Sequence, residues 1–376
     1  MKRIIAYFFL CVVIYSCSRL NKAVDLITQP SAREVYQRDY QIPEELFDLW
    51  EQQQELAMKD SLEVNLPYAE NGHFHSRSFP IYSYNISLHV GEIGEFEVFT
   101  DSLNDLIFMD LYQFVDDSIQ QFKKVKSSEI DQHFFEVEIK ESGKYKLVVQ
   151  PGIGTETQFV FRFNRKPAYV FPVLGGSNRN IQSYWGASRD GGIRNHEGID
   201  IFAKRGTPVL AATRGRIGFT GSKGLGGKQV WLHDSKRRLS LYYAHLDSIY
   251  LTSGYADPGD TLGFVGNTGN AIGTSPHLHF GIYKGYQGAI DPLHFVLQSQ
   301  NFKPDIEEFK TGSTKLIIKN SIANLRNRPS TSNSEVLGVG KKNDTLEFLG
   351  ITESWYHVRT RDKKASFIYR NLVAPL

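Results

Sequence analysis

The sequence predicts a mainly β, multidomain protein, and three observations carry that expectation. The chain has 376 residues, too many for one ordinary domain at roughly 100–200 residues each. Short runs that alternate apolar and polar side chains recur through its middle and end, the period of a half-buried strand. Glycines, 32 in all, punctuate those runs as turn signals. A composition of 41% hydrophobic and 13% aromatic residues belongs to a globular chain with sizeable cores.

Residues 18–75 read as a tether with a helical segment. Pro43 followed by Glu44 and Glu45 marks a helix start, with acids at the positive end of the dipole. Leu46, Leu49, Trp50 and Leu56 fit one apolar face through Met58. His73 and His75 lie in a polar stretch without another ligand type nearby in sequence, and they receive no role. Residues 76–165 change to period two, at Ile81–Leu88, Glu95–Phe99, Phe134–Ile139 and Tyr145–Val149, with Gly91, Gly94, Gly143, Gly152 and Gly154 between. Several short strands with turn signals predict a β-sandwich-like domain serving as a spacer or interaction module. Residues 166–300 are glycine-dense and hold most of the informative histidines. A 301–314 linker precedes a last β-rich unit, 315–376, with strands predicted at Lys315–Lys319, Thr345–Leu349 and Trp355–Arg359.

Charge and cysteine usage narrow the class. Lys and Arg number 43 against 41 Asp and Glu, without the basic excess of a nucleic-acid binder. Both cysteines fall in the first seventeen residues, so the globular parts hold no disulfide. Met1-Lys2-Arg3 followed by an apolar run from Ile4 to Tyr15 has the form of a signal peptide, too short to span a bilayer. The run Ile14-Tyr15-Ser16-Cys17 resembles a bacterial lipobox, which implies a 1–17 lipoprotein signal and diacylglyceryl modification of Cys17. Cleavage there removes Lys2 and Arg3 and no acid, leaving 41 basic and 41 acidic residues. The expected location is the bacterial envelope, as a lipoprotein on the periplasmic face of a membrane, the outer one favoured by Ser18, or on the cell surface.

Four segments carry the chemistry. Arg194 to Ile201 contains His196-x-x-x-Asp200. Gly198, Ile199 and Ile201 are poor helix material, so His196 sits in a turn and Asp200 near a strand start. Alone, such a pair is usually a surface hydrogen bond. In Ser275 to Tyr283, Leu278, Phe280 and Ile282 alternate with His277, His279 and Gly281; both imidazoles project from one strand face. Leu241 to Leu246 ends an apolar strand at His245, which would need a partner if buried. Gly263 to Gly273 is a flexible loop without the lysine or the strand–helix context of a phosphate cradle. Together, His196, Asp200 and one of His277 and His279 give two nitrogens and one oxygen, a zinc donor set with a fourth position left for water. No His-Glu-x-x-His is present, so a general base must come from elsewhere, and the remaining histidines are the candidates.

From about Asn180 to Leu297 the chain resembles the lysostaphin-like (LytM-type) zinc endopeptidases. The resemblance rests on Trp185-Gly186, His196 to Asp200, Gly206-Thr207-Pro208-Val209, Tyr243-Ala244-His245, Gly266-Asn267-Thr268-Gly269, His277-Leu278-His279-Phe280 and Asp291-Pro292. It implies an antiparallel β peptidase domain holding one Zn2+ per chain through His196, Asp200 and His279. It implies that His277 and His245 stay unligated and serve the water and the oxyanion. Glu197 is given no role. The implied substrate is the stem peptides and cross-bridges of peptidoglycan. A non-catalytic member that activates an amidase or scaffolds at the wall is the alternative. Asn324 to Ser330, Val336-Leu337-Gly338, Trp355 to Val358 and Ala365 to Ile368 are similar to a bacterial SH3-like module, a small β-barrel, with Ser366-Phe367 where that module usually carries Gly-Trp. The expected partners are the wall peptides, a membrane through the lipid anchor, an envelope protein for the N-terminal β-domain, and no nucleic acid.

Overall fold

The computed structural model describes residues 25, 27–76, 79–102, 104–116, 121–299 and 314–376. Cys17, the 1–17 signal and residues 301–313 of the expected linker lie outside them. The described chain is mainly β, as expected.

Two helices open it. Ala32–Asp39 starts with a capping box, in which the Ser31 side chain and Glu34 satisfy each other's backbone amides. This helix was not expected, although Ser31-x-x-Glu34 is a readable start signal. Glu44–Met58 begins after Pro43 as predicted, but its buried face is Phe47, Trp50 and Ala57, while Leu49 and Leu56 are each 50% exposed. The face turned because the anchor is polar as well as apolar. Trp50 Nε1 donates to the Pro151 carbonyl at 2.8 Å, and Arg33, stacked over the Trp50 ring, pairs with buried Asp110 at 3.0 Å.

Eight strands follow: β1 (Tyr68–Phe74), β2 (Tyr82–Leu88), β3 (Glu92–Thr100), β4 (Ile107–Asp116), β5 (Gln121–Ser127), β6 (Phe134–Glu138), β7 (Gly143–Pro151) and β8 (Thr157–Pro167). They form two facing sheets, β2-β7-β4-β5 and β1-β8-β3-β6. Phe159, Phe161 and Phe163 of β8 alternate into the shared core against Tyr82 and Tyr84 of β2. β1 was assigned to the tether; it is a full sheet member, seven residues of it paired with β8. Its Glu-Asn-Gly-His centre has little strand propensity, and long-range pairing overrides it.

The glycine-dense part contributes twelve strands: β9 (Ile181–Ser183), β10 (Ser188–Arg189), β11 (Arg194–Asn195), β12 (Ile199–Phe202), β13 (Pro208–Leu210), β14 (Gly215–Ser222), β15 (Lys228–Asp234), β16 (Leu239–Ile249), β17 (Tyr255–Ala256), β18 (Thr261–Val265), β19 (His277–Tyr283) and β20 (Ala289–Ile290). Its main path runs β17-β14-β15-β16-β19-β12-β9, antiparallel throughout. One face is sealed by Ile199, Ile201, Leu241, Tyr243, Leu278, Phe280 and Ile282.

The last strands are β21 (Lys315–Ile318), β22 (Ile322–Arg326), β23 (Val336–Lys341), β24 (Thr345–Thr352), β25 (Trp355–Arg359), β26 (Ala365–Tyr369) and β27 (Val373–Pro375). They have their own small core around Leu316, Phe348, Val358 and Ile368. They are not a free appendage. β24 pairs with β1 at Asn71↔Ile351 and Gly72↔Gly350, which fuses the C-terminal unit to the sandwich in one eleven-stranded sheet.

A buried polar cluster sits on that seam. Glu70 of β1 accepts from Tyr68, from Tyr84 at 2.7 Å, and faces His357 Nδ1 of β25 at 2.9 Å. Burial, reinforced by the Glu70 charge, pushes both tyrosine hydroxyls well above their ordinary pKa, so they remain donors. Glu70→Ala should strand three buried polar groups and cost about 3–5 kcal/mol. Urea unfolding followed by circular dichroism measures it, with Glu70→Gln expected to lose less because it still accepts.

Candidate metal centre

The centre is built by strand register. β12 pairs with β19 so that Asp200 stands opposite His279 and Phe202 opposite His277. β16 pairs on the other side of β19, with Ala244 opposite His279. Because alternate residues share a face, His277 and His279 leave the apolar side to Leu278 and Phe280 and turn together into a groove of about 610 Å³. His196 arrives from the turn before β12, its backbone held by Ala187 and Gly186. Gly198 makes that turn fit: a Cβ there would stand 2.6 Å from the Phe280 carbonyl and 2.8 Å from the His279 ring.

Three ligand atoms converge. His196 Nε2, Asp200 Oδ1 and His279 Nδ1 are each 3.0 Å from the other two. His277 Nε2 stands 4.0 Å from Asp200 Oδ1, and the His245 ring lies 5.1 Å from His277 and 5.8 Å from His279 between centroids. All five expected residues therefore line one groove. Glu197 is exposed and accepts from Tyr283 at 3.1 Å, outside the triangle.

Hydrogen bonds behind the rings set their tautomers. His196 Nδ1 faces the Tyr184 carbonyl at 2.9 Å, so it donates there and Nε2 presents a lone pair to the triangle. His277 Nδ1 donates to the Ser275 carbonyl at 2.8 Å, and His245 Nδ1 to the Thr268 carbonyl at 2.8 Å. In both rings Nε2 is the nitrogen left free of that bond. Burial, with His279 and His277 adding to it, pushes His245 down to about 4. Burial also pushes His279 down, against the pull of Asp200. Burial alone would raise the Asp200 carboxyl, but the His196 and His279 ring nitrogens 3.0 Å away outweigh it and hold it far below the usual range.

Two features were beyond sequence reasoning. His245 has φ 62°, the left-handed region that costs a non-glycine residue of order 1–3 kcal/mol. That kink breaks the alternation of β16, so Ala244 and His245 both reach the groove. The glycine loop predicted as flexible is packed: Gly269, at φ 71°, touches the Leu225–Gly227 turn so closely that a Cβ has no room. The second feature is Arg189. It donates to Asp200 Oδ2 at 2.8 Å and to Ser183 at 2.6 Å, which occupies the far carboxylate oxygen and leaves Oδ1 to the triangle. No motif announces it, since the β10–β11 hairpin is only two residues deep.

The donor set fits zinc. Two imidazole nitrogens and one carboxylate oxygen that converge at 3.0 Å, with His196 Nδ1 and Asp200 Oδ2 bonded outward, are zinc chemistry.

A family model described as Peptidase family M23 matches residues 194–292, and a Bacterial SH3 domain model matches 321–373. The chain carries a peptidase family M23 domain and a C-terminal bacterial SH3 domain. The M23 match begins at β11 and ends just after β20, and it contains His196, Asp200, His245, His277 and His279. Among similar proteins, an L-Ala–D-Glu endopeptidase of Bacillus subtilis (strain 168) is 35% identical over 125 residues, covering 31% of this chain and 38% of that protein. The lipoprotein YgeR of Escherichia coli (strain K12), whose own function is uncharacterized, is 36% identical over 139 residues, 36% of this chain and 49% of its own length. The chain thus spans less than half of each of these two relatives. The catalytic domain of the antimicrobial peptidase lysostaphin from Staphylococcus simulans is 31% identical, with 31% of this chain and 92% of that one covered, at a TM-score of 0.28.

Arg189, just ahead of the M23 match, is expected to fix the Asp200 carboxylate. Arg189→Ala should weaken zinc binding about 10–100-fold with the fold unchanged, as measured by competition against a zinc chelator of known affinity.

Proposed function

We propose that this protein is a zinc metalloendopeptidase that hydrolyses peptide cross-links of bacterial peptidoglycan in cell-wall remodelling, held at the envelope by acylation of Cys17. The single observation behind the reading is the 3.0 Å donor triangle with two acceptor imidazoles beside it. His196, Asp200 and His279 would hold the ion. Zinc held there supplies a Lewis acid for an amide carbonyl and a water acidified toward neutral pH.

The chain's own groups handle the protons. His277 Nε2 accepts the proton of the attacking water, and its Nδ1 hydrogen bond to Ser275 keeps the ring in the accepting tautomer. The resulting imidazolium returns that proton to the leaving amine. His245 Nε2 starts without a proton; one taken up from solvent as negative charge develops beside it makes the ring a donor to the carbonyl oxygen, and it is returned to solvent when that charge is lost. Arg189 and Asp200 hold one geometry throughout. Tyr242, whose hydroxyl burial pushes up to about 12, and Tyr283 wall the groove with neutral surface suited to a peptide backbone.

The relatives lend support in their printed names, one an endopeptidase acting at L-Ala–D-Glu and one a lipoprotein. The complete set of five residues favours a hydrolase over an amidase activator or wall scaffold, neither of which needs a spare proton acceptor. The SH3 domain, fused to the sandwich, is proposed to hold wall peptide near the groove.

His277→Ala should retain zinc and lose about 10²–10⁴ of the cleavage rate, whereas His196→Ala should lose both. Zinc content by elemental analysis and muropeptide release from purified sacculi measure the two separately. Full cleavage by His277→Ala would remove the assignment, and equal envelope phenotypes for wild type and His196→Ala would favour the non-catalytic alternative.

A further inference from the structure

Far along the chain from the peptidase groove, strand register gathers a second set of metal donors. His73 of β1 and His75 just beyond it are two residues apart, so both leave the ladder on the same outer side. β1 pairs with β8 at His73↔Gln158 and Phe74↔Thr157, and continuing that ladder brings His75 beside Glu156. Both rings point the same atom at one oxygen: Glu156 Oε1 is 3.3 Å from His75 Nδ1 and 3.5 Å from His73 Nδ1. The rings lie 4.6 Å apart between centroids, tilted by 29°. All three ligand atoms fall within 4.8 Å of one another.

The carboxylate is turned for this arrangement. Glu156 Oε2 accepts from the Ser76 backbone amide at 2.6 Å, which leaves Oε1 facing the imidazoles. That is the orientation an outer hydrogen bond imposes on a metal-binding carboxylate. His73 Nδ1 is shielded from water and has no hydrogen-bond partner among the described residues. A plain His75–Glu156 ion pair leaves that buried nitrogen unsatisfied at a cost, whereas one cation shared by three atoms satisfies all of them.

We propose that His73, His75 and Glu156 form a second metal site, distinct from the peptidase centre, for a divalent transition ion of the zinc or copper class. Two imidazoles with one carboxylate select such ions over calcium and magnesium, which require mostly oxygen ligands. The rings are partly exposed, so water completes the coordination and the ion exchanges with the medium. Its role is to tie the end of β1 to the turn before β8. The cluster His89, Glu92 and His294 makes a useful contrast. There Arg165 already neutralises Glu92 at 3.2 Å, so the carboxylate has a cation of its own, although the three ligand atoms also lie within 4.8 Å of one another.

The test counts zinc per full-length chain by elemental analysis after equilibration with buffered zinc. Wild type should carry two ions, and His75→Gln and Glu156→Gln one each, both with wild-type cleavage. His196→Ala/His279→Ala should keep one ion and still show a zinc-dependent rise in melting temperature, which adding His75→Gln abolishes. One ion in wild type that disappears with His196→Ala/His279→Ala would overturn the second site while leaving the peptidase reading intact. Unchanged stoichiometry in both His75→Gln and Glu156→Gln would overturn it as well. An ion that survives His196→Ala/His279→Ala but is lost with His75→Gln supports the second site even if the peptidase reading fails.

Discussion

The register between β12 and β19 is the constraint on which the centre depends. Asp200 faces the groove because it is paired with His279, and the same pairing sends Ile199, Ile201, Leu278 and Phe280 into the core. A slip of one residue would turn over the strand that moved: β12 would bury Asp200 and expose Ile199 and Ile201, or β19 would bury two imidazoles and expose Leu278 and Phe280. The apolar side therefore enforces the polar side. Each fully buried aliphatic or aromatic chain contributes roughly 1.5–3 kcal/mol, so a misregistered sheet is excluded by many times the thermal energy. Metal affinity need not be spent on assembling the ligands.

Around that frame, backbone carbonyls do what side chains cannot. Tyr184, Ser275 and Thr268 each accept one imidazole proton, and so decide which nitrogen looks into the groove. Two rings that are chemically alike acquire different work by position: His279 sits in the triangle, and His277, two residues earlier on the same strand face, stands outside it as a free acceptor. His245 reaches the same space only through a left-handed backbone. Its ring is held there by the Thr268 carbonyl.

Periodicity made the strands and the paired imidazoles of β19 legible, since alternation is a local property of the sequence. Spacing made His196 and Asp200 a candidate pair, and the family resemblance chose among the histidines. What remained hidden depends on contacts between distant segments. β1 looks like tether because Glu70, Asn71 and Gly72 have no strand propensity of their own; β8 on one side and β24 on the other impose it. The buried helix face was misjudged because Arg33 and Asp110, far apart in sequence, create a polar anchor around Trp50. Arg189 lies in a hairpin too short to leave a pattern. His73 and His75 gave no sign of a partner because Glu156 is some eighty residues away, and only the β1–β8 ladder brings it near.

The central claim is that residues 196, 200 and 279 share one ion and leave a coordination position to solvent. Anomalous diffraction at the zinc edge from crystals of the zinc-loaded protein tests it most directly. The account predicts a peak in the M23 groove bonded to His196 Nε2, Asp200 Oδ1 and His279 Nδ1, with solvent completing the shell and His277 unligated. A zinc closed off by four protein ligands, or a groove without anomalous signal at saturating zinc, would contradict it.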